Sequence, residues 1–170
     1  MASRRKGRIL AFQALYSWDA ALGTGKSRTG VKTAPPDGAA IPDGLLDFSW
    51  LEPEKQENLD EAIRAFSRLL ITGTIENIGA VDGMIRSHLQ HWDFSRLNRV
   101  DLAILRMSAY TLMFQDEVAP SIVIDEAIGI SKEFGTDESY RFINGVLDNI
   151  RRTVQQSRPS QGPASPCPRA

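Results

Sequence analysis

PSIVIDEAIGISKEFG (Pro120–Gly135) and SYRFINGVLDNI (Ser139–Ile150) decide the fold class. Pro120 suits the first position of a helix, where its missing N–H costs nothing, and Gly135 suits the residue just past the end. Between them Ile122, Val123, Ile124, Ala127, Ile128 and Ile130 occupy most faces, which predicts a central, buried helix. In the second stretch Phe142, Ile143, Val146, Leu147 and Ile150 recur at helical steps, on a helix starting near Asp137. Gly145 interrupts it at about 1 kcal/mol relative to alanine, which points to close backbone packing there. Asn144 reads as a structural hydrogen-bonding residue.

The same period extends upstream. Of nine prolines only Pro120 lies between Pro53 and Pro159, so that region can be long helices. A helix over about 54–72 buries Leu59, Ile63, Phe66 and Leu70, and another running to Trp92 buries Ile78, Val81, Ile85 and Leu89. Ser95 is the expected N-cap of a helix with Leu97, Val100, Ile104, Met107 and Leu112 inward. A first helix, about Arg4 to Leu22, carries Ala11, Leu15, Trp18 and Leu22 at 4, 3, 4 spacing, widened by Phe12 and Tyr16. Strand signals are weak, and the expected class is all-α.

The chain divides into a basic arm with first helix (1–22), a Gly/Pro-rich insertion or loop (23–53) with one short apolar turn in LLDFSWL, the remaining helices (54–154) and a disordered tail (155–170). At 170 residues, 42% apolar and 24% charged, the composition is that of a globular domain. The single cysteine, Cys167, excludes an intramolecular disulfide and suits a cytoplasmic setting, and no apolar run approaches a membrane span.

Arg4, Arg5, Lys6 and Arg8 place four cations in the first eight residues; with these removed, a net charge of −1 leaves −5 for the remainder. Cations at a helix start oppose the macrodipole, so helix stability does not explain them. An export signal is not expected, because Gln13, Ser17 and Asp19 break the apolar stretch it needs. A flexible cationic arm that neutralises phosphates does explain them.

Other motifs carry less. AALGTGKS (Ala20–Ser27) comes within one residue of a phosphate-binding loop, but a helix precedes it where a strand is required, and a plain loop is expected. His88 and His91 share a helical face, lack the further ligands of a zinc site and read as solvent-facing. No nucleophile–base arrangement suggests an enzyme, and no metal or cofactor is expected.

IDEAIGISKEFG (Ile124–Gly135) with SYRFINGVLDNI closely resembles the closing signature of the NusB family of transcription antitermination factors. Basic residues followed by QALYSW (Gln13–Trp18) resemble its opening, and AILRMSAYTL (Ala103–Leu112) resembles its middle helix. The resemblance covers the first helix and nearly everything from Glu54 to Arg152. The chain departs at Asp125, where the family often has asparagine, at Gly129 within a usually polar stretch, and at Thr111, where an acidic residue is more usual.

What the resemblance implies is a compact bundle of six to seven helices in two three-helix-like halves. It also implies binding to the boxA element of nascent ribosomal RNA together with NusE, a small-subunit ribosomal protein, within an elongation complex of RNA polymerase and other Nus factors. The family's RNA surface maps onto Arg141 and Phe142, a cation and an aromatic for a single strand, near the arm cations Arg4, Arg5, Lys6 and Arg8 expected to meet RNA phosphates; Lys132 and Glu138 flank the pair and tune affinity. Its NusE-binding helix maps onto Tyr16 and Trp18. Trp18 also fits the core by periodicity, and Phe142 fits core packing. Two alternatives are a protein–protein adaptor without RNA binding and an accessory domain of an rRNA-modifying system. The second would require a Rossmann-type module with a Gly-rich cofactor loop and a catalytic cysteine.

Overall fold

In this computed structural model, which describes residues 2–23 and 40–157, α1 spans Ala2–Gly23, α2 Pro53–Glu57, α3 Glu61–Glu76, α4 Ile78–Ser87, α5 Arg99–Phe114, α6 Pro120–Phe134 and α7 Ser139–Ser157. A side chain or a proline sets the start of α2, α3, α5 and α6. The described residues contain no strand. The helix expected over 54–72 is broken into α2 and α3, because Asp60 accepts a hydrogen bond from the Ala62 amide at 2.9 Å and starts a new helix. Ser95 is not the cap of α5. It sits in a short 3₁₀ turn, Phe94–Arg96, and Asn98 does the capping: its Oδ1 accepts from the Asp101 amide at 2.8 Å while its Nδ2 donates to the Asp101 carboxylate at 2.7 Å.

The central helix is α5, not α6 as the sequence suggested. Eleven of its sixteen residues are buried, and it packs against α1, α3, α4, α6 and α7. By contrast α6 buries one stripe, Val123, Ile124, Ala127, Ile130 and Ser131, and leaves Ile122 exposed. Its apolar residues on other faces had implied a fuller enclosure. The two halves therefore share α5: α1 and α3 pack on one side, α6 and α7 on another. Gly135 closes α6 as expected but in an extended conformation, and a Cβ there would lie 2.8 Å from that of Ser139. Gly145 has open space around it, so close backbone packing is not its role, and Asn144 is exposed.

Two boundaries shift. Leu45 and Phe48, within the segment read as an insertion, are buried in the core, and α7 runs on through Ser157, past residue 154. The loop-like stretch 24–39, which includes the second half of the phosphate-loop-like motif, and the tail 158–170 with Cys167 lie outside the described residues.

One buried charge cluster joins three helices. Arg106 on α5 donates from Nε and Nη2 to the two carboxylate oxygens of Asp82 on α4, both at 2.8 Å, and from Nη1 to Asp19 on α1 at 2.8 Å. Arg106 and Asp82 are almost wholly buried. Burial alone lowers the guanidinium's pKa, but the hydrogen bonds and charges of Asp82 and Asp19 outweigh it and hold the group above its ordinary value. Removing one partner of such a pair strands a charge in the interior. Arg106→Ala is therefore expected to lower unfolding free energy by about 3–5 kcal/mol, measured by urea denaturation; the Asp82→Leu/Arg106→Met double variant should recover a large part of that loss.

Candidate nucleic-acid interface

The basic cluster is not a flexible arm, because α1 begins at Ala2 and carries all four cations on a helix. Successive helical residues are turned about 100° apart, so the cluster fans around α1 instead of forming one patch. Arg4 and Arg8, four apart, share a face and lie over the Phe66 ring of α3 at 4.4 and 5.4 Å. Arg8 is only 8% exposed, and burial holds its pKa below the usual arginine value, partly opposed by Glu126. Arg8 is therefore a packing residue, and its assignment to direct RNA contact is corrected on that ground.

Arg5 faces α6. Its guanidinium lies 3.6 Å from Glu126 and 3.2 Å from Glu133. Between them, at Gly129, a Cβ would come within 2.6 Å of the Arg5 Nη1. The glycine that looked anomalous in the sequence is thus the floor on which Arg5 crosses the helix. Lys6 is exposed and makes no ion pair among the described residues, and Arg4 is likewise exposed. These two are the cations of α1 open to a polyanion.

A second group gathers at the α6–α7 corner. Tyr140, which sequence reasoning passed over, lies between Lys132, with Nζ 5.0 Å from its ring centre, and Arg141, at 5.6 Å. Arg141 also donates to the Tyr140 hydroxyl at 3.0 Å and pairs with Glu138 at 3.4 Å. The Tyr140 hydrogen bond, then the Glu138 charge, raise its pKa. Lys132, Glu138 and Arg141 are thus brought together as expected, around an aromatic whose only signal was its place in SYRF. Phe142 is half-buried against the core and has its ring 5.6 Å from that of Trp92.

Tyr16 and Trp18 part company. Two residues apart on a helix face nearly opposite ways, and Tyr16 is 40% exposed while Trp18 is 1% exposed beneath the Arg106 guanidinium. Trp18 cannot present a surface to a partner, so its assignment as a contact residue is corrected. Tyr16 borders a groove of about 430 Å³ that Arg99, Val100, Phe134 and Thr136 also line. Leu22 is exposed, outside the stripe assigned to it. His88 is not solvent-facing. Its Nδ1 faces the Met84 carbonyl at 2.8 Å and its Nε2 faces the Thr153 hydroxyl at 2.7 Å, tying the end of α4 to α7. Among the described residues no group of three His, Cys, Asp or Glu side chains could hold a metal, and no helix is long and apolar enough to cross a membrane.

Comparison with known proteins now adds to this geometry. The NusB family model matches residues 5–152. Proteins called transcription antitermination protein NusB are 47% identical over 151 residues in Treponema pallidum (89% of this chain, 94% of the relative) and 45% identical over 148 residues in Treponema denticola (87% and 95%). Among solved structures, T. maritima NusB superposes with a TM-score of 0.67 at 29% identity, over 88% of this chain and 90% of that one. A complex of the antitermination factors NusB and NusE with dsRNA superposes with a TM-score of 0.69 at 22% identity, over 90% and 98%, and bears on the fold alone.

The two kinds of cation on α1 should separate in a stability measurement. Arg8→Ala is expected to cost about 1–2 kcal/mol, through lost stem packing and the contact with Phe66. Lys6→Ala should stay within about 0.5 kcal/mol of the parent. Urea midpoints for the two variants at equal slope check the difference.

Proposed function

The chain belongs to the NusB family, and from that membership we propose a transcription antitermination factor that binds the boxA element of nascent ribosomal RNA together with NusE. In this role it joins the RNA polymerase elongation complex with other Nus factors in the cytoplasm and helps it read through terminators in rRNA operons. The chain acts by binding and catalyses no reaction. The observation that carries the reading is the near full-length similarity to antitermination proteins.

The geometry supports a division of labour. Arg4 and Lys6 on α1, with Lys132 and Arg141 at the α6–α7 corner, are exposed cations that phosphates can reach. Arg5 already faces two carboxylates, so a phosphate would have to compete with Glu126 and Glu133. Glu138, exposed beside Arg141, tempers that cation and disfavours indiscriminate polyanion binding. Phosphate contacts position the strand, while base contacts have to select it. Tyr16, on the groove beside Val100 and Thr136, is the first-helix residue offered to NusE.

A titration against boxA single-stranded RNA and a scrambled control, with and without NusE and across a salt series, tests this. Preferential boxA binding strengthened by NusE is expected. The Arg4→Gln/Lys6→Gln variant should make the slope of log K against log salt shallower by about 1.4, at about 0.7 per lost phosphate contact. Equal, weak binding to both RNAs even with NusE would overturn the reading and leave a protein adaptor in its place.

A further inference from the structure

Trp92 is 60% exposed, more than any other large apolar side chain among the described residues. It lies in the link between α4 and the 3₁₀ turn that leads into α5. Phe142, packed against the core from α7, holds its ring 5.6 Å from the indole at a tilt of 57°, a favourable geometry for an aromatic pair. Phe142 therefore supports Trp92 from beneath, and the surface left open belongs to the indole.

The link that carries Trp92 is fixed on both sides. Asp93 accepts from the Ser95 amide at 2.9 Å, and Phe94 is buried with the Arg86 guanidinium 4.2 Å above its ring. On the other side, His88 ties the end of α4 to Thr153 of α7. An aromatic held on such a mount loses little conformational freedom when something stacks on it. Cations flank it: Arg86 in the last turn of α4 and Arg96 in the 3₁₀ turn are exposed, and so is Arg141 next to Phe142; of the exposed carboxylates nearby, Asp93 is held by the Ser95 amide and Glu138 is paired with Arg141. A strand with stacking bases and phosphates finds both of the features it uses.

We propose that Trp92 is a stacking platform for a base of single-stranded RNA, with Phe142 as its buttress. This rests on the RNA-binding reading above and extends that surface from α7 onto the α4–α5 link. Stacking on an indole tolerates any base, so Trp92 contributes affinity and register more than sequence choice.

The test uses the full chain and boxA single-stranded RNA. Of the three tryptophans, Trp18 is buried and Trp50 less exposed than Trp92, so RNA should quench the emission of the parent, and Trp92→Phe should abolish most of that quenching. Trp92→Ala should weaken RNA binding roughly 5- to 100-fold, with the salt slope unchanged because no phosphate contact is lost. Trp92→Phe, which keeps an aromatic face, should restore most of the affinity, and circular dichroism should show all three proteins equally helical. Unchanged affinity in Trp92→Ala with parental binding intact overturns this inference and leaves the antitermination reading standing. A loss of affinity for NusE instead of RNA, or a change in oligomeric state, overturns it in favour of a protein contact. Failure of the parent to bind RNA overturns both.

Discussion

The guanidinium of Arg106 meets Asp82 and Asp19 where α5, α4 and α1 converge, and the positions of the surface residues follow from that junction. A buried charge of this kind is tolerable only when its donors and acceptors are matched, so the three helices cannot slide past one another without leaving one unpaired. Asp19 lies toward the end of α1, and anchoring it there sets the direction of the whole helix. Some fourteen residues earlier, about four turns back, the same helix delivers Arg4 and Arg8 to Phe66 and Arg5 to α6. The basic start is thereby aimed by a contact at the opposite end.

That placement answers the electrostatic puzzle of four cations against a helix dipole. Each should cost about 0.3–1 kcal/mol at the helix start, yet three of the four have local compensation. Phe66 meets Arg4 and Arg8, and Glu126 and Glu133 meet Arg5. Glu126 gains as well, since one of its carboxylate oxygens is buried without a hydrogen bond and the Arg5 charge lies close by. Charge counting in the sequence treats the four cations as equivalent. Packing divides them into one that is buried, one that is paired and two that are open to solvent.

Aromatic residues divide in the same way. Trp18 and Trp92 are indistinguishable by type, but one lies under Arg106 in the core and the other stands in solvent on a short link. Phe142, the aromatic that the SYRF step brings to notice, is half-buried beneath Trp92. Tyr140, in the first turn of α7, gathers Lys132 and Arg141. The surface chemistry of this end of the molecule thus comes from residues on α6, α7 and the α4–α5 link.

By itself the sequence determined the helical class, the identity of most core residues and the family, because helical period, Pro120 at a start and the QALYSW, AILRMSAYTL and SYRFINGVLDNI blocks are local properties. It also located the corner where Lys132, Glu138 and Arg141 meet, since those residues are close in the chain. Only the tertiary structure decided that α5 and not α6 is central, that Asp60 and Asn98 restart helices the period ran through, and that Leu45 and Phe48 belong to the core. The same holds for Gly129 and Gly145, alike in sequence, of which one receives Arg5 and the other faces open space. Burial, pairing and stacking are relations between residues far apart in the chain, and periodicity reports which face of a helix is apolar without saying what lies against it.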